Sequence, residues 1–377
     1  MFEKIEERVW LSAPVVYGDE MPYIQEALEK SVTSPDRFNV TSIENGLSSY
    51  VGCKKGLALS AGTSALHMAV KLAGIKAGDR VFCSDLTFAA TVNPVVYEGG
   101  IPVFIDSEMD TWNMDPKALE KAFQKYPDTK AVIVVNLYGI PAKLDEIKSI
   151  CDKYNAILIE DAAESLGAKY KGKQTGSFGK YSAISFNNNK IITSFGGGML
   201  LSDDEEGIKR AASLAAQAKE PVLWYEHKET GYNYRMSNAV AGIARAQFNH
   251  LDDHIRCKND IYFRYKQGFF GVENVHMNPY TNDMEPNFWL SCLYLKDSAK
   301  ISALDLCKEL DKYNIEARPI WKPMHLQPIF EGCEFISVED GNSIGNHIFE
   351  HGICLPSDVR MSADIQNQVI SIIKSLI

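Results

Sequence analysis

A chain of 377 residues is too long for one small domain, and its length sets an expectation of two to three domains or of one large α/β domain with an appendage. Hydrophobic residues make up 45% and charged residues 23%, proportions that exclude wholesale disorder. With 49 acidic against 39 basic residues the net charge is −10, which argues against nucleic-acid binding because that affinity rests on a basic surface. An anionic small molecule stays within reach, since a few backbone amides or local cations hold a phosphate.

The opening residues, Met1 to Arg8, are acidic and lack the apolar stretch of a signal peptide. No run approaches about 18 apolar residues, so no membrane span is expected and a cytoplasmic location is. Cysteines at 53, 83, 151, 257, 292, 307, 333 and 354 form no C-x-x-C pair and fall mostly in apolar segments. Buried free thiols are therefore expected, without disulfides or a thiolate metal site.

In chain order, strands are predicted at Gly56–Ser60, Arg80–Ser84, Ile101–Asp106, Ala131–Leu137, Ala156–Asp161, Tyr181–Phe186 and Gly198–Ser202. Several are continuous Val/Ile/Leu runs, the pattern of strands buried on both faces. Helical spacing lies between them: Leu66, Ala69, Val70 and Ala73 share one face, as do Leu144, Ile147, Cys151 and Tyr154. Such alternation predicts an α/β fold with a mostly parallel sheet, helices on both faces, and ligands at the carboxyl ends of the strands. Beyond about Asp260 the pattern becomes α+β, with a strand at Trp289–Leu295, a helix at Ala303–Tyr313, a short strand at Glu316–Ile320 and an amphipathic last helix carrying Ile365, Val369, Ile372, Ile373 and Leu376. The expected division is a large domain of residues 1–255 and a smaller one of 256–377.

Three segments carry chemistry. Ser60-Ala61-Gly62-Thr63-Ser64 follows a strand and opens a helix, where unpaired N–H groups and two hydroxyls make an anion pocket, although an ordinary helix cap reads the same way. It is neither a Walker A loop nor a dinucleotide fingerprint, so nucleoside-triphosphate and NAD readings lose their main support. Ile157-Leu158-Ile159-Glu160-Asp161 ends an apolar strand on two carboxylates, which serve either as a helix cap or as the partner of a cationic ligand nitrogen. Ser185-Phe186-Asn187-Asn188-Asn189-Lys190 places one lysine among asparagines before Gly196-Gly197-Gly198. A deprotonated lysine is a nucleophile toward carbonyls. Paired with Asp161 it fits pyridoxal-phosphate chemistry, with the lysine bonded to the cofactor and the aspartate on its pyridinium nitrogen. By contrast, His347-Ile348-Phe349-Glu350-His351 matches a short zinc-protease pattern, yet Gly352 ends the helix at once and no third ligand stands near, so no metal is expected.

These motifs occur in a familiar order. Leu11-Ser12-Ala13-Pro14, Ala61 to Leu66, Thr87-Phe88-Ala89-Ala90-Thr91, Glu160 to Gly167, Ser185 to Lys190, Gly231 to Asn238 and Arg318 to His325 together resemble the DegT/StrS family of sugar aminotransferases, nearly end to end. The resemblance implies the aspartate-aminotransferase-like type I fold of pyridoxal-phosphate enzymes. It implies that Lys190 and Asp161 are catalytic, and that pyridoxal 5'-phosphate is held by Gly62, Thr63, Ser64, Phe88, Asp161, Glu164, Ser185, Lys190 and, from a neighbouring subunit, Asn233. Thr33, Asn187, Asn188, Asn189, Arg235, Arg318, Trp321 and His325 would face the nucleotide sugar. A homodimer with shared sites follows, with glutamate as amino donor and neither nucleic acid nor membrane as partner. Asn-Asn-Asn-Lys followed by Ile-Ile-Thr, with Tyr225-Glu226-His227 before Gly231, is similar to the subgroup that aminates C4 of UDP-linked 2-acetamido-4-keto-6-deoxy sugars, including enzymes of the bacillosamine pathway. Two other readings compete: a pyridoxal-phosphate sugar dehydratase, whose family relatives carry His in place of the lysine, and a non-catalytic sugar-sensing regulator, which would have lost the Lys190–Asp161 pair.

Overall fold

The computed structural model describes residues 3–33 and 37–377, the side chains of residues 31–33 excepted. All seven strands expected in the first half form, at Lys55–Leu59, Arg80–Ser84, Ile101–Ile105, Ala131–Val135, Ile157–Asp161, Tyr181–Ser185 and Gly198–Ser202. Alternate residues of one strand serve opposite faces. Val132 and Val134 pack with the helices Pro116–Lys125 and Leu144–Lys153, whereas Ala131 and Ile133 pack with Gly62–Leu72 and Glu205–Ala215. Both faces are covered, which is why these strands read as unbroken apolar runs.

An eighth strand, Glu334–Ile336, comes from the C-terminal part of the chain and lies parallel to Ile101–Ile105 at the sheet edge. From that edge the order is Glu334–Ile336, Ile101–Ile105, Arg80–Ser84, Ala131–Val135, Ile157–Asp161 and Tyr181–Ser185, all parallel. Gly198–Ser202 then runs antiparallel, between Tyr181–Ser185 and Lys55–Leu59. The parallel direction points the carboxyl ends of Arg80–Ser84, Ile157–Asp161 and Tyr181–Ser185 to one side, and the helix Gly62–Leu72 starts there as well.

The C-terminal part forms an antiparallel sheet of Val275–Met277, Cys292–Leu295, Gly352–Cys354 and Arg318–Pro319. The strand expected from Trp289 begins only at Cys292, because Phe288 adopts a left-handed backbone with φ +46° and turns the chain just before it. The helices Ala303–Lys312 and Ala363–Leu376 pack beside this sheet, their starts capped by Ser302 and Ser362. The helix Leu251–Gly268 spans the expected 255/256 boundary, and its Tyr262 and Tyr265 share a core with Val134 and Ile372. The N-terminal segment lies against the C-terminal part, with Val9 bridged to Ile315. Among the described residues the cysteines are free thiols: Cys83, Cys151, Cys292, Cys307 and Cys354 are buried, Cys53 and Cys333 half-buried, and Cys257 exposed.

Candidate active site

Where the strand ends meet the start of Gly62–Leu72, a cavity of ≈ 300 Å³ brings together Gly62, Thr63, Phe88, Asp161, Glu164, Ser185, Asn187, Asn189 and Lys190. Gly62 permits the approach: a Cβ there would lie 2.9 Å from Ser185 Cβ. No side chain caps the helix start at Ala61, so the first N–H groups are left for a ligand. The Ser185 hydroxyl accepts from Asn187 N at 3.3 Å, and Ser64, just behind, pairs its hydroxyl with Ser60 at 3.1 Å. Phe88 is 58% exposed at the cavity mouth, its ring centroid 5.4 Å from that of Trp321.

The two carboxylates that close Ile157–Asp161 have different tasks. Glu160 points away from the cavity and accepts from Asn136 Nδ2, Gly176 N and Phe178 N at 2.9, 2.6 and 3.0 Å, fixing the turn before Tyr181. Asp161 faces the cavity. Its Oδ2 accepts from Thr91 Oγ1 at 2.7 Å and its Oδ1 from Ala163 N at 3.1 Å. Burial pushes its pKa up, and the Thr91 and Ala163 donors and the Lys190 charge pull it down. Among the described residues Asp161 forms no direct ion pair, and the Lys190 charge acts on it only at a distance, so a buried carboxylate is left open to a cation in the cavity.

Lys190 is nearly buried and directs Nζ to Glu164 Oε1 at 3.3 Å and to the face of Trp289, 4.0 Å from the ring centroid. Glu164 also accepts from Tyr138 N at 2.8 Å. Burial pushes Glu164 up to about 7, against the opposing pull of the Lys190 charge. Tyr138 and Gly139 adopt left-handed backbone (φ +54° and +86°), and a Cβ on Gly139 would sit 1.8 Å from Asn287 Oδ1. That glycine therefore allows the segment holding Trp289 to dock beside Glu164.

Other expected residues lie elsewhere. Arg318 and Trp321 border a second cavity of ≈ 520 Å³, which shares Asn189, Trp289 and Trp321 with the first. Arg318 is exposed, with its guanidinium on Glu316 at 3.0 Å. His325 reaches neither cavity: its Nδ1 lies 2.6 Å from the buried Asp85 carboxylate and its ring stacks on Phe335. Asn233 and Arg235 are exposed and do not line this chain's cavity, and Asn188 is exposed too. The side chain expected at Thr33 lies outside the described residues. Within the short zinc-like pattern, His347 pairs with Tyr294 and His351 with Asp297, and the helix ends at His351, as Gly352 foretells.

Sequence reading missed Thr91 and Trp289 as functional residues. Thr91 belongs to a noted motif but only the fold brings it to Asp161, and Trp289 sits in an apolar run that reads as core. The donor set fits a planar cationic ring bearing a phosphate: Asp161 for the ring nitrogen, Phe88 for its face, and the helix start with Ser185 for the anion.

A mostly parallel sheet flanked by helices, with this cavity at its strand ends, is the type I fold of pyridoxal-phosphate-dependent transferases. A crystal structure of a DegT DnrJ EryC1 StrS aminotransferase from Brucella abortus superposes with a TM-score of 0.84 at 26% identity, over 94% of this chain and 95% of that one. The chain belongs to the DegT/DnrJ/EryC1/StrS aminotransferase family, whose profile matches residues 16–374, and it is a pyridoxal-phosphate-dependent sugar aminotransferase. It is 46% identical to the "Putative pyridoxal phosphate-dependent aminotransferase EpsN" of Bacillus subtilis, over 99% of this chain and 96% of the relative. It is 34% identical to a GDP-perosamine synthase of Caulobacter vibrioides over 85% and 86% of the two chains. With the UDP-4-amino-4,6-dideoxy-N-acetyl-beta-L-altrosamine transaminase of Campylobacter jejuni it shares 35% identity over 70% and 66%.

Proposed function

We propose that the enzyme moves an amino group from glutamate to C4 of a nucleotide-linked 4-keto-6-deoxy sugar, and that a UDP-linked 2-acetamido sugar is the substrate class. The observation that carries the amino-transfer reading is the meeting of Lys190, Asp161 and an uncapped helix start in one cavity. When bound, the cofactor supplies an electron sink that allows an α-C–H bond of the donor to break and stores the amino group between two substrates. Lys190 would hold the cofactor at rest, and its Nζ would take the donor's α-proton and deliver it to the cofactor carbon that gains the amino group, the same two transfers running in reverse when the keto sugar reacts. Asp161 would serve the ring nitrogen as its anionic partner. Gly62, Thr63, Ser64 and Ser185 would hold the phosphate, and Phe88 would cover the ring. One site serving both substrates in turn makes the kinetics ping-pong.

The intact Lys190–Asp161 pair speaks against the dehydratase and regulator readings. The Asn187-Asn188-Asn189-Lys190 tract and the name of the Campylobacter relative support a UDP-linked sugar, while the relation to a GDP-perosamine synthase favours a GDP-linked one. Lys322 and Trp321 beside the second cavity are suited to the nucleotide portion, and Arg318 borders the same cavity with its guanidinium engaged by Glu316. Asn233, exposed and away from this chain's own cavity, supports a homodimer in which each subunit completes the site of the other. The exposed residues Leu223, Trp224 and Tyr225, between segments bridged at Ala216–Asn233 and Lys219–His227, support it too. The absence of a long apolar helix among the described residues accords with a cytoplasmic location. In this reading residues 1–255 hold the cofactor and 256–377 help close the site.

A screen of UDP-, dTDP- and GDP-linked 4-keto sugars with glutamate, scored by 2-oxoglutarate release, tests the assignment. Amination of the UDP-linked acetamido sugar is expected, and Lys190→Ala abolishes it together with the visible absorbance of the bound cofactor. Amination of the GDP sugar alone overturns the nucleotide, and amination of none overturns the substrate class.

A further inference from the structure

The peptide that carries Lys190 is anchored by two donors. The Asn189 carbonyl accepts from Trp289 Nε1 at 2.6 Å and from Ser12 Oγ at 3.0 Å, and Ser12 Oγ in turn accepts from the buried Lys258 Nζ at 3.2 Å. The same indole that holds this carbonyl offers its ring face to Lys190 Nζ at 4.0 Å. One side chain thus grips both ends of the lysine: the backbone from which it swings and the amine at its tip.

Trp289 is itself firmly placed. It is 1% exposed, and its N–H donates to Asn287 Oδ1 at 2.9 Å. Asn287 Nδ2 donates to the carbonyls of Glu164 and Leu166 at 3.0 and 2.9 Å, which ties the indole's support to the segment carrying the other partner of Lys190. Between them, Phe288 is held at φ +46°, a conformation a bulky residue adopts only when its surroundings over-determine it. The bend costs energy, and what it secures is an indole inside the cavity.

We propose that Trp289 is a positioning residue: its ring face seats the Lys190 amine in its protonated form, while that amine is not bonded to the cofactor, and its Nε1–H fixes the peptide from which the lysine returns. The inference rests on the role proposed above for Lys190. The released amine must stay close yet remain free to move. An aromatic face suits this, because it attracts an ammonium without the directional grip of a short ion pair. The attraction is worth about a 2- to 30-fold bias toward the seated position.

Trp289→Phe keeps a ring face and removes Nε1–H, whereas Trp289→Leu removes both. Stopped-flow absorbance, following covalent capture of added pyridoxal phosphate by the apoenzyme, is the direct readout. Trp289→Leu is expected to slow capture and kcat about tenfold with both KM values nearly unchanged, and Trp289→Phe to recover most of the loss. In a Lys190→Ala background, Trp289→Leu should leave cofactor affinity unaltered. Weakened affinity in that background would make the indole a wall of the cofactor site and overturn the proposal, as would wild-type capture by Trp289→Leu. Should Trp289→Leu fail to fold, Trp289→Met keeps bulk without a ring and is read by the same criteria. If the wild-type apoenzyme captures no cofactor, the reading of Lys190 fails instead, and the two failures stay distinct.

Discussion

The acidity of Asp161 is set by a short relay that one substitution interrupts. Thr87 Oγ1 lies 2.6 Å from Thr91 Oγ1, and because the Thr91 hydroxyl donates to Asp161 Oδ2 at 2.7 Å, Thr87 donates to Thr91. Thr91 is buried, and valine matches its shape, so Thr91→Val removes the donor without opening a cavity. A hydrogen bond to a charged acceptor contributes about 1.5–3 kcal/mol, or about a 10- to 150-fold preference for the ionised form. Burial already favours the neutral acid, and losing the donor pushes the same way, so the acid limb of kcat/KM moves to higher pH. On its displaced acid limb the variant is expected to fall about 10- to 100-fold below the wild type in kcat/KM at the same pH, and to recover as the pH rises above that limb. Thr91→Ser keeps the donor and the wild-type limb, and Thr87→Val, acting one bond further out, shows a smaller shift. The assay is the pH profile of the glutamate half-reaction followed by cofactor absorbance. A Thr91→Val profile with an unmoved acid limb, in a variant that binds cofactor normally, would refute the relay.

Glu164 carries a second pH effect, on stability. Burial pushes it up to about 7 from 4.5, so between those values the folded chain holds a proton that the unfolded chain has lost, and stability falls as pH rises through that window. Glu164→Gln cannot lose a proton, so its Tm is expected to overtake that of the wild type by a few degrees as pH climbs from about 4.5 to 7; parallel Tm curves would contradict the burial argument. At Gly139 a Cβ would meet Asn287 Oδ1 at 1.8 Å and Trp289 N at 2.7 Å, on a backbone with φ +86°. Gly139→Ala is expected to cost about 2–5 kcal/mol by urea unfolding, and a loss within 0.5 kcal/mol, roughly that of an ordinary surface change, would sink the close-packing claim.

The legible parts of the fold are those where one residue's chemistry determines its place. Ala131–Val135 is fully buried between two helical layers, so its apolar run could be read without knowing its neighbours. Glu334–Ile336 has no such mark: a three-residue Glu-Phe-Ile segment becomes a strand only because Val103 to Ile105 offer an open edge to pair with. The strand expected from Trp289 begins three residues late for a related reason. Its apolar pattern continues upstream, but Asn287 and Gly139 impose a bend that periodicity does not record. Asp161 and Lys190 are legible because each stands out chemically from an apolar setting, whereas Trp289 blends into one.

Cations were the least legible residues. In a chain with net charge −10, a basic side chain near an anion site invites assignment to the substrate, but an excess of carboxylates means that most cations already have a partner. The His325 ring, a cation only when protonated, is bound to Asp85 and the Arg318 guanidinium to Glu316, pairings separated in sequence by 240 residues in one case and 2 in the other. Sequence distance therefore does not sort engaged cations from available ones. What does sort them is the count of partners in space: Arg235 and Lys322 form no ion pair among the described residues, and Lys322 borders the cavity beside Trp321. Ionic attraction to a diphosphate is weaker for a cation whose field a carboxylate 3 Å away already cancels. A site for an anionic substrate on an acidic protein is thus defined by which cations the fold leaves uncompensated.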